Sequence, residues 1–76
     1  MNKQDRKELE KALELIEEAK SLVENIRDTE QEKFDNLSEG LQQSEKGQKF
    51  EETVSTLEDV ISQLEEATDG INTASE

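Results

Sequence analysis

Three consecutive blocks of seven residues, LEKALEL (9–15), IEEAKSL (16–22) and VENIRDT (23–29), decide how this chain folds. Apolar residues fill the first position of the blocks (Leu9, Ile16, Val23), the fourth (Ala12, Ala19, Ile26) and, in two of them, the seventh (Leu15, Leu22). Because residues three, four and seven apart lie on one side of a helix, the pattern predicts an amphipathic helix. The stripe is wider than a two-position coiled-coil seam, which is typical of a helix in a bundle.

A second stripe follows in the C-terminal half. Its members lie alternately four and three residues apart, and they are Phe50, Val54, Leu57, Ile61, Leu64 and Ile71, with Thr68 in the one gap. Val60 and Ala67 widen this stripe on one side. We therefore predict a second amphipathic helix.

Residues that end or begin helices separate the two stripes: Asn36, Ser38, Gly40, Ser44 and Gly47. The sequence predicts one domain with a helix over 3–36, a turn over 37–43 and a helix over 44–69. Gly70 is the expected C-cap of the second helix, and residues 70–76 are expected to fray.

The fold class expected from these features is all-α, an antiparallel two-helix hairpin resembling a coiled coil. Reversal near Gly40 places Ile26 opposite Val54 and Ile16 opposite Leu64. The charges agree, since Lys3, Arg6, Lys7 and Lys11 crowd the start of the chain and no base follows Lys49. An antiparallel pair brings that basic start beside the acidic end of the second helix and its negative dipole end.

Two helices of this size bury only the seam between them, so the outer edges of the stripes, Leu13, Leu15 and Leu22 with Val60 and Ala67, are expected to stay exposed, and small chains need further stabilisation. We therefore expect self-association into a four-helix bundle, with a homodimer as the first reading. The alternatives are a different partner or a larger assembly, and a monomer. The residues predicted to form the self-association core are Leu9, Leu13, Leu15, Ile16, Leu22, Val23, Ile26, Val54, Leu57, Val60, Ile61 and Leu64.

The composition argues against catalysis and against a bound cofactor. The chain has no His, Cys, Tyr or Trp, so the usual zinc and haem ligands and most acid–base groups are missing. Asp28, Glu30 and Glu32 alternate as in a calcium loop, but the glycine and the terminal glutamate of that loop are absent. We expect no enzyme activity, no metal and no cofactor. A charged N-terminus and the lack of a long apolar run predict a cytoplasmic protein without a membrane partner.

The acidic residues of the second helix form the most distinctive surface feature. The pairs Glu51–Glu52, Glu58–Asp59 and Glu65–Glu66 recur every seven residues, and the chain carries a net charge of −12. The plain interpretation is a solvated helix face. The alternative is a binding surface for a basic host protein, in its strongest form a mimic of DNA that inhibits a nucleic-acid-binding protein. Direct binding to nucleic acid is not expected for so acidic a chain.

The predicted turn carries an apolar group of its own, formed by Phe34, Leu37, Leu41 and Phe50. These side chains are expected to cap the end of the bundle. Otherwise they form a small apolar tip that docks a partner.

The stretch EKFDNLSEGLQQSEKG (32–47), followed by the Leu57 and Leu64 Leu-Glu repeats, resembles short acidic proteins of phages and mobile elements of Gram-positive bacteria. Those proteins typically read EKFDNLPEGLQ and SERG in the turn, and this chain has Ser38 where proline is usual. The similarity spans about residues 26–67. It implies a phage or prophage setting, with host cytoplasm as the compartment, and no established activity. The function expected overall is therefore a non-catalytic, self-associating interaction protein.

Overall fold

The computed structural model describes all 76 residues and contains three helices. They are α1 (Lys3–Asp35), α2 (Glu39–Gln42) and α3 (Glu45–Ala74), and no strand is present. The prediction of an all-helical chain is confirmed.

The boundaries of α1 follow from its capping residues. The side chain of Asn2 accepts a hydrogen bond from the backbone N–H of Asp5 at 2.7 Å, which satisfies one of the free donors of the first turn. Asp5 in the first turn and Lys33 in the last have the signs that the helix dipole favours. The helix ends at Asp35, one residue before the predicted end.

The predicted turn over 37–43 is not free of regular structure, because it contains α2. Ser38 has extended backbone angles and its hydroxyl accepts from the N–H of Leu41 at 3.4 Å, so it acts as an N-cap. Ser44 then opens α3, and its hydroxyl donates to the carbonyl of Leu41. Ser44 therefore lies at the start of the second long helix, where the prediction begins that helix, whereas the short helix that follows Ser38 was not predicted.

The two long helices lie side by side. At about 1.5 Å per residue, α1 is about 50 Å long and α3 about 45 Å, yet the longest dimension of the molecule is 58 Å. The segment that joins them spans residues 36–44 and reaches at most about 30 Å even when extended. A chain with these dimensions has to reverse its direction, so α1 and α3 run antiparallel and pack along their length.

Helix α3 contributes the most deeply buried side chains. Val54 and Ile61 are 6% and 7% exposed, and Gly47 is also buried. The half-buried residues continue the same alternation of three and four, as predicted, and they are Phe50, Leu57, Leu64, Thr68, Ile71 and Ser75.

Helix α1 turns a different side toward α3 than its apolar pattern predicts. Leu9, Ile16 and Val23 are half-buried as expected, but Ile26 is 53% exposed and does not lie in the seam opposite Val54. The fifth position of the seven-residue block is half-buried throughout, at Leu13, Lys20, Arg27 and Phe34, and in the fourth position Ala12 and Ala19 are half-buried while Ile26 is not. Lysine and arginine can do this because their aliphatic stems pack while their charged ends reach out.

The end of α3 also differs from the prediction. Gly70 is not a C-cap: no glycine in the chain has a positive φ, and the helix continues to Ala74. Ile71 is half-buried, so the seam continues past Gly70 and holds the last turn. The predicted frayed tail over 70–76 was wrong for residues 70–74.

Gly47 fixes how the turn packs against the start of α3. A Cβ atom at this position would overlap the backbone of Gln42, so only glycine allows α3 to begin this close to α2. The side-chain amide of Gln42 donates to the carbonyl of Phe34 at 3.1 Å and thereby joins α2 to the end of α1. All three helices therefore meet at the turn.

Candidate interaction surfaces

An apolar stripe runs along the outside of α1. Leu15, Leu22 and Ile26 are 53%, 64% and 53% exposed. With Ala12 and Ala19 they lie alternately three and four residues apart, so they share one side of α1. We call Ala12, Leu15, Ala19, Leu22 and Ile26 the outer stripe.

One ion pair between the helices identifies residues of α1 and α3 that border the same edge of the α1–α3 seam. Lys20 Nζ lies 3.4 Å from Glu65 Oε1, so these residues border the same edge of the seam. Residues seven apart in a helix share an edge, which places Leu13 with Lys20, and Glu51 and Glu58 with Glu65.

Between residues 12 and 26 of α1 and residues 53 and 67 of α3, the opposite edge carries no charge. On α1 the outer stripe borders this edge. Lys20 occupies the fifth position of its seven-residue block and Ala19 the fourth, and these two positions lie on opposite sides of the first position, which faces α3. On α3 it is bordered by Thr53, Val60 and Ala67, with Thr56 and Gln63 beside them. We call the outer stripe together with these five residues the uncharged face. Charged residues make up 39% of the chain, so a two-helix face without any stands out.

The residues predicted for self-association divide between two places. Eight of them are buried or half-buried in the seam within one chain or at its Lys20 edge: Leu9, Leu13, Ile16, Val23, Val54, Leu57, Ile61 and Leu64. Four lie on the uncharged face: Leu15, Leu22, Ile26 and Val60. Leu13 was expected on the same outer edge as Leu15 and Leu22, and the structure places it on the other side.

The acidic residues of α3 lie in two columns. Glu51, Glu58 and Glu65 form one column at the Lys20 edge, and Glu52, Asp59 and Glu66 form a second column on the outer side of α3, where they border Thr56 and Gln63 of the uncharged face. All six are exposed, and Glu65 is the one that forms an ion pair with a base. We call these six residues the acidic columns.

The apolar residues of the turn mostly pack inward. Phe34, Leu37 and Phe50 are half-buried, and only Leu41 is strongly exposed, at 48%. The turn therefore presents a single exposed leucine, since the other three side chains cover the end of the helix pair.

Neither concavity of the surface combines groups from different helices. The larger one, of about 350 Å³, is lined by Glu14, Glu17, Glu18, Ser21 and Leu22 of α1, and the other by residues 49–57 of α3. No group of three or more acidic side chains is arranged to hold a metal ion. No helix has an apolar segment long enough to cross a bilayer. The arrangement therefore offers extended helix surfaces rather than a pocket.

Sequence reasoning missed three features of these surfaces. The polar inward residues Lys20, Arg27 and Glu30 gave no apolar signal, and the contact of Gly47 with Gln42 depends on tertiary structure. Thr53 was the third: Val60 and Ala67 were recognised as one side of the α3 stripe, but Thr53, seven residues before Val60 in the same column, was not.

No protein-family model matches the chain, and no curated protein or solved structure is similar to it.

Proposed function

We propose that this protein is a non-catalytic interaction protein, a helical hairpin that associates with a second copy through the uncharged face to form a four-helix bundle. The observation that carries the proposal is the exposure of Leu15, Leu22 and Ile26 on a face without charge. Exposed apolar patches with a polar rim are typical of protein interaction sites.

Electrostatics support a second copy as the occupant of this face. Each chain carries a net charge of −12, so two copies repel one another wherever their carboxylates come close. The uncharged face is where two copies can meet with the fewest carboxylates between them. A basic partner would find no counter-charge there.

The hydrophobic effect supplies the driving force. Full burial of a leucine or isoleucine side chain gains roughly 1.5–3 kcal/mol, and a dimer would cover three such partly exposed side chains from each copy. The lost freedom of association opposes this gain, so the proposal requires good packing on the face.

The mass of the protein in solution tests the proposal. Sedimentation equilibrium should give twice the 8.7 kDa of one chain. Leu22→Asp should return the mass to that of one chain, because it places two carboxylates in the interface. Ser21→Asp adds the same charge at the neighbouring exposed position, outside the face, and should leave the dimer intact. A folded wild-type chain that stays monomeric at high concentration would contradict the proposal.

The resemblance of residues 32–47 to phage proteins supports a biological setting as part of this proposal. We place the protein in the cytoplasm of a bacterial host that carries a phage or prophage. Its appearance in host cells should then follow induction of the phage, measured by immunoblotting of cell fractions. Equal amounts before and after induction would argue against this setting.

A second candidate function rests on the acidic columns, five of whose six residues form no ion pair with a base. In this reading the chain inhibits a basic, nucleic-acid-binding host protein by presenting carboxylates where that protein expects phosphates. Pairs of carboxylates recur about every 10.5 Å along α3, which is sparser than the phosphates of a duplex. The first function is therefore preferred.

A competition experiment separates this second candidate from the first. A labelled duplex is bound to a host DNA-binding protein, and this chain is added while fluorescence anisotropy is recorded. If the candidate is right, the chain displaces the duplex, and reversal of Glu58, Asp59, Glu65 and Glu66 to lysine abolishes the displacement. Reversal of the exposed acids Glu10, Glu14, Glu17 and Glu18 makes the same change of charge on α1 and serves as the control. Equal loss in both variants would mean that only net charge matters.

A further inference from the structure

We infer that the second copy packs its α1 against α1 of the first, antiparallel, with a two-fold axis at Ala19 and with both α3 helices on the outside. The inference rests on the proposed self-association and specifies its geometry. It follows from four properties of the outer stripe.

The first property is where the large exposed side chains are. Leu15, Leu22 and Ile26 all belong to α1, whereas α3 contributes Thr53, Thr56 and Gln63 with the half-buried Val60 to the uncharged face. If α1 packed on α3 of the second copy, the leucines would cover hydroxyl and amide groups, which costs free energy when those groups lose water. Contact of α1 with α1 covers leucine with leucine.

The second property is the symmetry of the stripe about Ala19. Ala12 and Ile26 each lie seven residues from Ala19, and Leu15 and Leu22 lie four and three residues away. When the stripe is turned end for end, Ala12 meets Ile26 of the second copy, Leu15 meets Leu22, and Ala19 meets Ala19. Every member therefore has a member as its partner, as an isologous interface requires. The small alanine at the axis allows the two helices to approach closely.

The third property is the angle between the two apolar sides of α1. At about 100° per residue, the centre of the outer stripe lies roughly 110° around the helix from the side that faces α3. A second copy on the outer stripe therefore sits beside α1 and away from α3. This separation keeps the acidic columns of the two copies apart, which a dimer that stacked α3 on α3 would not.

The fourth property is the distribution of charge along α1. The first third of α1 (residues 3–13) carries four bases and three acids, and the last third (residues 25–35) carries two bases and four acids, so their net charges are +1 and −2. End-for-end packing places the basic third of each α1 beside the acidic third of the other. Parallel packing would place like ends together, and complementary charges of this kind set the orientation of partners.

Single cysteines test the geometry, because the chain has no cysteine of its own. Ala19→Cys should form a disulfide-linked dimer on mild oxidation in native buffer, at least ten times faster than in denaturant. Ala12→Cys and Ile26→Cys should each remain uncrosslinked alone, because their copies lie about 21 Å apart along the axis. A mixture of Ala12→Cys and Ile26→Cys chains should crosslink to each other.

The outcomes separate the inference from the function on which it rests. If Ala19→Cys crosslinks only with Val60→Cys chains, α1 packs on α3 of the second copy, and the inference is wrong while the dimer stands. If the protein has the mass of one chain and no variant crosslinks, both are wrong. Circular dichroism of each variant shows whether it is folded, and the Ala12 and Ile26 mixture gives an independent reading should Ala19→Cys disturb the helix.

Discussion

Helices α1 and α3 have similar lengths, but their large apolar side chains point in different directions. Helix α3 points its large apolar residues at α1, and Val54 and Ile61 are buried there. Helix α1 has no buried residue, and Leu15, Leu22 and Ile26 point away from α3. Near the turn its inward positions hold polar residues, among them Arg27 and Glu30. The difference indicates that the apolar side of α3 is covered by α1. Helix α1 has two apolar sides, of which one packs on α3 and the other is covered by nothing within the chain.

The largest effect expected from this comparison is on α3. Ile61→Asp places an unpaired carboxylate in the seam and should cost more than about 3 kcal/mol, enough to remove the cooperative thermal transition followed by circular dichroism. The Leu22→Asp variant, changed on the exposed side of α1, should keep a helical circular dichroism spectrum. Only its melting temperature and its mass in solution should be lower than those of the wild type. Equal loss of helix in both variants would erase the distinction between the two helices.

A second effect is expected where α3 begins. Gly47→Ala forces a Cβ against the backbone of Gln42 and should destabilise the protein by about 1–3 kcal/mol in urea unfolding. Gly70→Ala is the control in the same helix, since nothing lies near its Cβ. That change should stabilise the helix by up to about 1 kcal/mol. If both alanines stabilise, the turn does not depend on close packing at Gly47.

A smaller effect is expected at the polar inward positions of α1. The side chain of Glu30 is only 20% exposed, and it pairs with Lys33 at 3.0 Å. Glu30→Leu should raise the free energy of unfolding by about 1 kcal/mol, because an apolar side chain gains more from this burial than a surface ion pair provides. Glu32→Leu, at an exposed position two residues on, should change it little. A destabilised Glu30→Leu variant would show that the ion pair matters more than burial.

The smallest effect concerns the one ion pair between the helices. Lys20→Met should lower stability by less than about 1 kcal/mol, because Glu65 remains more than half exposed and water screens the pair. The difference from wild type should disappear in 1 M salt. Lys11→Met removes a charge from an exposed position of the same helix and provides the reference. A larger loss that persists in 1 M salt would mean that water does not screen this ion pair.

The sequence was sufficient to predict the helical class and the seam of α3, because the α3 stripe is narrow and all its members point one way. It was not sufficient at Ile26, because α1 carries two overlapping apolar stripes and only contact with α3 selects between them. Ser38 and Ser44 were recognised as residues that end or begin helices, but a helix as short as α2 has no period to detect. Glycine is typical of helix ends, so Gly70 predicted the end of the second helix, but burial of Ile71 in the seam stabilises the helix beyond it.

On the surfaces, the spacing identified Leu15, Leu22 and Val60 as an outer edge before any coordinates. It misplaced Leu13, which lies only two residues from Leu15 and therefore on nearly the opposite side of the helix. The acidic columns followed directly from the repeat of seven, since exposed residues need no partner to define their position. Of the four apolar residues predicted at the turn, Phe34, Leu37 and Phe50 are half-buried, whereas Leu41 stays exposed.

The contacts within the turn affect the order in which parts of the protein fold. Gln42 reaches Phe34 eight residues away, Ser44 binds Leu41, and Gly47 packs on Gln42, so each contact closes a short loop. Short loops lose little chain entropy when they close, and they close quickly. The reversal can therefore form first, with the seam extending from it toward the chain ends. Amide protons should exchange with solvent most slowly near Val54 and progressively faster toward Lys3 and Ala74.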